Sequence, residues 1–184
     1  MEIEKADESI PAKLVFVHNK SELKNWSVLV NTDTAISEEE IICIYGKNGY
    51  KIEYEYLFRD MESMELKNVL KKDIVGFSLY PDTFEFSYEC IKCVKDYGDY
   101  VIVGGKYATD NYEELLNNIP EIDAICLGHG EFPYLEFLNM LSDGINIEQC
   151  FLKIPFFVTR NKRIDQIKIC VSDINDPELF IVVG

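Results

Sequence analysis

The chain has 184 residues, of which 47% are hydrophobic and 28% charged, enough for one domain with its own core and a small appendage. Aspartate and glutamate total 33 against 18 lysines and arginines, and the resulting charge of −15 repels phosphate backbones and anionic lipid surfaces, so neither nucleic acid nor membrane is expected as a partner. No apolar run approaches ~20 residues, so no membrane-spanning helix is expected. The stretch from Met1 to Glu8 is acidic and polar, unlike an ordinary signal peptide. Six cysteines (Cys43, Cys90, Cys93, Cys126, Cys150 and Cys170) show no disulfide-like framework and read as reduced thiols of a cytoplasmic protein.

Residues 1–24 read as a leader with a short strand from Leu14 to His18. Val28-Leu29-Val30-Asn31 is the first strong strand candidate. Ser37 is placed to cap a short helix from Glu39 to about Lys47, with Glu38, Glu39 and Glu40 at its positive end and Gly46 and Gly49 at its stop. Tyr50 to Phe58 alternates Ile52, Tyr54, Tyr56 and Phe58 with charge, the period of a strand with one wet face near a sheet edge. Leu66, Val69 and Leu70 predict a brief helix.

Three hydrophobic strands then run into small-residue loops: Ile74 to Tyr80, Val101 to Gly105, and Ala124 to Glu131. Ser78 lies 26 positions before Gly104, and Gly104 lies 24 before Gly128, a period that fits successive strand–helix units of a parallel sheet. Helices are expected from Phe84 to Tyr97, over Asn111 to Leu116, and from Phe132 to Leu141 with Asp143-Gly144 as its stop. Phe156 to Thr159, a polar turn through Arg163, and Ile164 to Val171 read as an appended β-hairpin. The fold expected is therefore α/β, a mostly parallel five-stranded sheet with helices on both faces, plus a C-terminal β-hairpin. Its boundaries are drawn at 1–24 for the leader, 25–145 for the main domain, and 146–184 for the hairpin and linker.

Loops that follow parallel strands gather at one edge, and open α/β folds bind ligands there. Ser78, Tyr80, Gly104, Gly105, Lys106, Gly128, His129, Gly130 and Glu131 are thus the candidate binding residues. Gly104-Gly105 has two explanations: a tight turn needing positive φ, or a flat ligand that approaches the backbone too closely for a Cβ. Gly128 to Pro133 is a poor dinucleotide fingerprint, because Pro133 replaces the last glycine and the motif follows the last strand rather than the first. Cys90-Ile91-Lys92-Cys93 lies inside a helix with no second CxxC, and reads as two small packing residues. No cysteine spacing fits an iron–sulfur cluster. His129 is either a solvated loop histidine or a candidate ligand contact or metal ligand. No nucleophile–base set or triad is evident, so no catalytic residue is assigned.

Four stretches together resemble the N-terminal cobalamin-binding domain of cobalamin-dependent radical SAM proteins. They are Asn48 to Glu53, Ile74 to Tyr80, Val101 to Thr109, and Pro120 to Glu131. Family members commonly read VGxS, VVGGPHAT and VDxVVxGEGE at the last three, and the Ile154-Pro155-Phe156 hairpin is similar to one that precedes their catalytic barrel. The resemblance spans residues from about 26 to 175. It implies a Rossmann-like domain holding cobalamin flat against the carboxyl ends of its strands, with Ser78 and Gly104-Gly105 near the ring or nucleotide tail and Gly128 to Glu131 near the tail. It also implies a radical SAM catalytic domain or subunit as partner, and hence metal ion binding through the corrinoid.

The chain departs from the family pattern at several places. The Asp-x-His-x-x-Gly motif that supplies a lower cobalt ligand in many corrinoid proteins is absent after Asn31. Lys106-Tyr107 stands where Pro-His is common, and His129 replaces a glutamate. No CxxxCxxC is present, so no iron–sulfur cluster is expected in this chain, and Gly184 lies about where a barrel would begin. The function expected is presentation of a corrinoid to a radical SAM unit for methyl transfer or related radical chemistry, with no catalysis by this chain alone. The alternative is a degenerate domain without cofactor that serves as an interaction scaffold.

Overall fold

The computed structural model describes residues 12–18, 25–30, 39, 43–57, 74–96 and 100–162. Its strands are β1 (Ala12–His18), β2 (Asn25–Val30), β3 (Lys51–Leu57), β4 (Ile74–Ser78), β5 (Tyr100–Gly104), β6 (Ala124–Cys126) and β7 (Phe157–Val158). They form one sheet in the order β3-β1-β2-β4-β5-β6-β7. The pairings β2–β4, β4–β5 and β5–β6 are parallel, which makes a parallel centre of four strands. β1 pairs antiparallel with both β2 and β3, and β7 pairs antiparallel with β6.

The α/β class expected from the sequence is therefore present, and its strand count differs. Four parallel strands are flanked by three antiparallel ones among the described residues, in place of a mostly parallel set of five. The leader strand is one of these additions, lying between β2 and β3. The alternating segment at residues 51–57 takes the sheet edge, as its period predicted. The expected hairpin's first arm is β7, joined to the main sheet rather than set apart, and its turn is closed by a Thr159–Lys162 bridge. Its second arm, Ile164 to Val171, and the helix expected near Leu66 lie outside the described residues.

Alternation along the central strands divides the core into two layers. Val75, Phe77, Val101, Val103 and Ile125 pack on one face with α1 (Phe84–Lys95), α2 (Lys106–Asp110) and α3 (Tyr112–Asn118). Ile74, Ile102, Ala124 and Cys126 pack on the other with α4 (Glu131–Ser142) and α5 (Ile147–Lys153). Strands covered on both faces need apolar residues at successive positions, which is why β4 and β5 read as unbroken hydrophobic runs. Phe137 sits at the middle of the second layer, stacked on Phe151 at 5.4 Å and tilted against Phe157 at 5.6 Å.

Helix ends follow local chemistry. Gly49 (φ 89°) and Gly144 (φ 85°) adopt left-handed conformations that close the segments before them. The Asn146 side chain accepts from the Gln149 amide and starts α5, a helix inside the stretch expected to be hairpin and linker. At the other end of α5, the buried amine of Lys162 donates to the carbonyls of Phe151 and Ile154 at 2.8 and 2.5 Å. Arg160 donates to the Ile122 and Ile119 carbonyls, both at 2.6 Å, and ties the β7 turn to the chain that enters β6. No described helix is long and apolar enough to cross a membrane.

Candidate functional site

Parallel pairing puts the carboxyl ends of β4, β5 and β6 at one edge, where Ser78 is in register with Gly104. The chain leaving β4 runs into α1 on the first face. Tyr45 packs in the second layer. In open α/β sheets, ligands bind at the carboxyl ends of the strands. At this edge Ser78 and Tyr80 are half-buried and Leu79 between them is buried. Residues 31–38, which follow β2, lie outside the described residues.

The edge is laced by main-chain and hydroxyl bonds. The Leu79 amide donates to the Gly104 carbonyl at 2.9 Å. Gly105 has φ +90°, and a Cβ there would stand 3.0 Å from Ser78 Oγ and 3.2 Å from the Leu79 carbonyl oxygen. The first explanation offered by the sequence, a turn of positive φ, therefore holds for Gly105, and chain packing alone demands the glycine. Gly104 differs: a Cβ would meet nothing nearer than the Cys126 carbonyl at 3.5 Å, an ordinary contact.

Thr109 joins the next two loops. Its hydroxyl lies 3.0 Å from the Gly105 carbonyl and accepts the Gly128 amide at 2.9 Å. Gly128 itself has φ +70°. Thr109 lies within a matching stretch of sequence but not among the candidate binding residues. Its bond to Gly128 spans 19 positions, and no local pattern announces it.

The remaining candidates are distributed unevenly. Tyr80 is half-buried and precedes a short 3-10 turn at Pro81–Thr83. Lys106 is 85% exposed and paired with Asp110 at 2.8 Å, so its amine faces solvent beside its own helix rather than the ledge. His129 is 63% exposed, with Nδ1 3.9 Å from a Glu131 carboxylate oxygen, too long for a hydrogen bond. Gly130 starts α4, and its carbonyl accepts the Tyr134 amide at 2.8 Å. The Glu131 carbonyl accepts from the Tyr45 hydroxyl at 3.1 Å.

Beside this loop lies a cluster the sequence did not announce. Tyr45 and Tyr134 meet edge to face at 6.5 Å, and the Tyr134 hydroxyl is buried without a hydrogen-bond partner among the described residues. Burial pushes the Tyr45 phenol well above its ordinary value, with Tyr134, Glu131 and Cys126 adding to the effect. Burial likewise raises Tyr134, and it pushes the Cys126 thiol up to about 12. These groups stay protonated near neutral pH, so they offer a neutral, polar floor rather than an acid, a base or a thiolate.

No protein-family model matches the chain. It is 29% identical over 93 residues to an uncharacterized methyltransferase, PH0819, of Pyrococcus horikoshii. That match covers 48% of this chain, and the chain spans about a fifth of the relative's length, 20%.

Small residues and positive-φ glycines bring backbone to the rim at Gly104, Gly105 and Gly128. No group of three His, Cys, Asp or Glu able to hold a metal occurs among the described residues.

Proposed function

We propose that this chain is a cobalamin-binding domain that presents a corrinoid to a radical SAM catalytic unit, fused or separate. The observation that carries the reading is the ledge itself: three adjacent parallel strands end in Ser78, Gly104-Gly105 and Gly128 at one edge of the sheet. The finer fold reading, a Rossmann-like domain followed by a C-terminal hairpin, belongs to the same proposal. The cofactor would supply methyl transfer or related radical chemistry. The word methyltransferase in the relative's name is in keeping with that chemistry.

The chain's own part is binding and orientation. Ser78 and Tyr80 would flank the ligand at the end of β4, Gly104 and Gly105 would keep the rim low, and Gly128 to Glu131 would meet its far end beside the neutral Tyr45–Tyr134–Cys126 cluster. Incubation with hydroxocobalamin followed by desalting should leave a visible corrinoid spectrum at about one equivalent per chain. A colourless protein with an unchanged melting temperature overturns the reading.

The cofactor-free scaffold is favoured by one observation. Gly105 is demanded by its contacts with Ser78 and Leu79, so this glycine would persist without any ligand. The colourless outcome supports that alternative.

A further inference from the structure

Thr109 carries two hydrogen bonds on one oxygen, one local and one spanning 19 positions. In α2, its amide and its hydroxyl both approach the Gly105 carbonyl at 3.0 Å, the back-bonding of a threonine to the residue four positions earlier. The Gly128 amide reaches the same hydroxyl oxygen at 2.9 Å. An amide only donates, so the hydroxyl proton is directed to the Gly105 carbonyl and a lone pair is left for Gly128. The donor order Gly128 N–H to Thr109 Oγ1–H to Gly105 carbonyl is therefore fixed. The Gly105 loop is in turn held to the end of β4 by the Leu79–Gly104 bond at 2.9 Å. One hydroxyl thus closes a chain of bonds across all three loops.

We propose that Thr109 is a positioning residue whose hydroxyl sets the separation of the Gly105 and Gly128 loops, and with it the width of the ledge that holds the ligand. This rests on the corrinoid reading above. The hydroxyl acts through the two glycine loops. Valine has nearly the shape of threonine and makes neither bond. It leaves the half-buried Gly128 amide unpaired, which frees that loop to turn away. Serine keeps both bonds and loses only a methyl group.

The test compares Thr109→Val and Thr109→Ser in the full chain by hydroxocobalamin titration, by exchange of the Gly128 amide followed by NMR, and by thermal melting. Thr109→Val should weaken hydroxocobalamin binding about tenfold, roughly 1.4 kcal/mol, and speed Gly128 exchange by about tenfold or more. Thr109→Ser should stay within about threefold of the parent in both. Thr109→Ala removes the same hydroxyl and carries the test if the valine variant does not fold. Binding and exchange unchanged in Thr109→Val, or lost equally in Thr109→Ser, overturn the proposal. If the parent chain binds no hydroxocobalamin, the corrinoid reading fails on its own, and Gly128 exchange still decides whether the hydroxyl sets the loops.

Discussion

Replacing Gly105 with alanine tests whether the rim is built by tight packing of loops. The residue has φ +90° and ψ 174°, a region open almost only to glycine, and forcing alanine into it costs about 1–3 kcal/mol. The new Cβ would also stand 3.0 Å from Ser78 Oγ and 3.2 Å from the Leu79 carbonyl oxygen. Ser78 can rotate its hydroxyl away. The Leu79 backbone is pinned by its bond to Gly104, so overpacking adds roughly 1–3 kcal/mol. A total of about 3 kcal/mol corresponds to a melting temperature roughly 6–12 °C lower in a chain of this size. Gly104→Ala is the control: its nearest neighbours would be at 3.5 and 3.8 Å, and it sits at the end of β5, so the change should stay within about 1 kcal/mol. Thermal unfolding by circular dichroism, with urea titration alongside, measures both. A Gly105→Ala protein that melts within about 2 °C of the parent, or a Gly104→Ala protein that loses as much, refutes the packing argument.

Two further outcomes follow from the burial pattern. Burial lowers the Lys162 amine to about 8 from its ordinary 10.5. Between those values the unfolded chain holds a proton that the folded chain has released, so this group's contribution to stability rises with pH from about 8 to 10.5. Lys162→Met removes that gain and takes a donor from the Phe151 and Ile154 carbonyls, of which Ile154 keeps the Phe157 amide, at a cost of about 1–3 kcal/mol. The melting-temperature gap between parent and variant should widen from pH 7 to about pH 9.5, and a constant gap contradicts the assignment. Among the thiols, Cys43 is exposed, while Cys90 and Cys126 are buried and both pushed up to about 12. Brief iodoacetamide treatment of the native protein at neutral pH should label Cys43 and spare Cys90 and Cys126 until denaturant is added. Peptide mass mapping that finds Cys126 labelled in the native state would overturn the closed floor beneath the Gly128 loop.

The elements most legible in the sequence are those whose pattern is local. Strands β4, β5 and β6 announce themselves as apolar runs because both faces are covered, and the alternation at residues 51–57 marks an edge strand. Gly144 marks the end of α4 because a left-handed residue belongs there. What escaped is set by pairing at a distance. The antiparallel strand β1 sits between β2 and β3, and nothing in Ala12 to His18 states its neighbours. β7 adds to β6 because Phe157 fills the second layer against Phe137, a tertiary contact that a hairpin pattern does not encode. Helix α5 was legible in principle, since Asn146 is a good cap, but the nearby turn signals masked it. The site shows the same division: the glycines stand out in the sequence, whereas the Thr109 bridge and the Tyr45–Tyr134 contact exist only once the sheet is assembled.

Hydrogen–deuterium exchange of the chain with and without hydroxocobalamin tests the central claim most directly, because it reports binding and its location together. Protection should concentrate at residues 78–80, 104–109 and 128–131, the three strand ends. No change on addition of hydroxocobalamin, or protection confined to helix α5 and strand β7, contradicts the assignment of this edge as the corrinoid site.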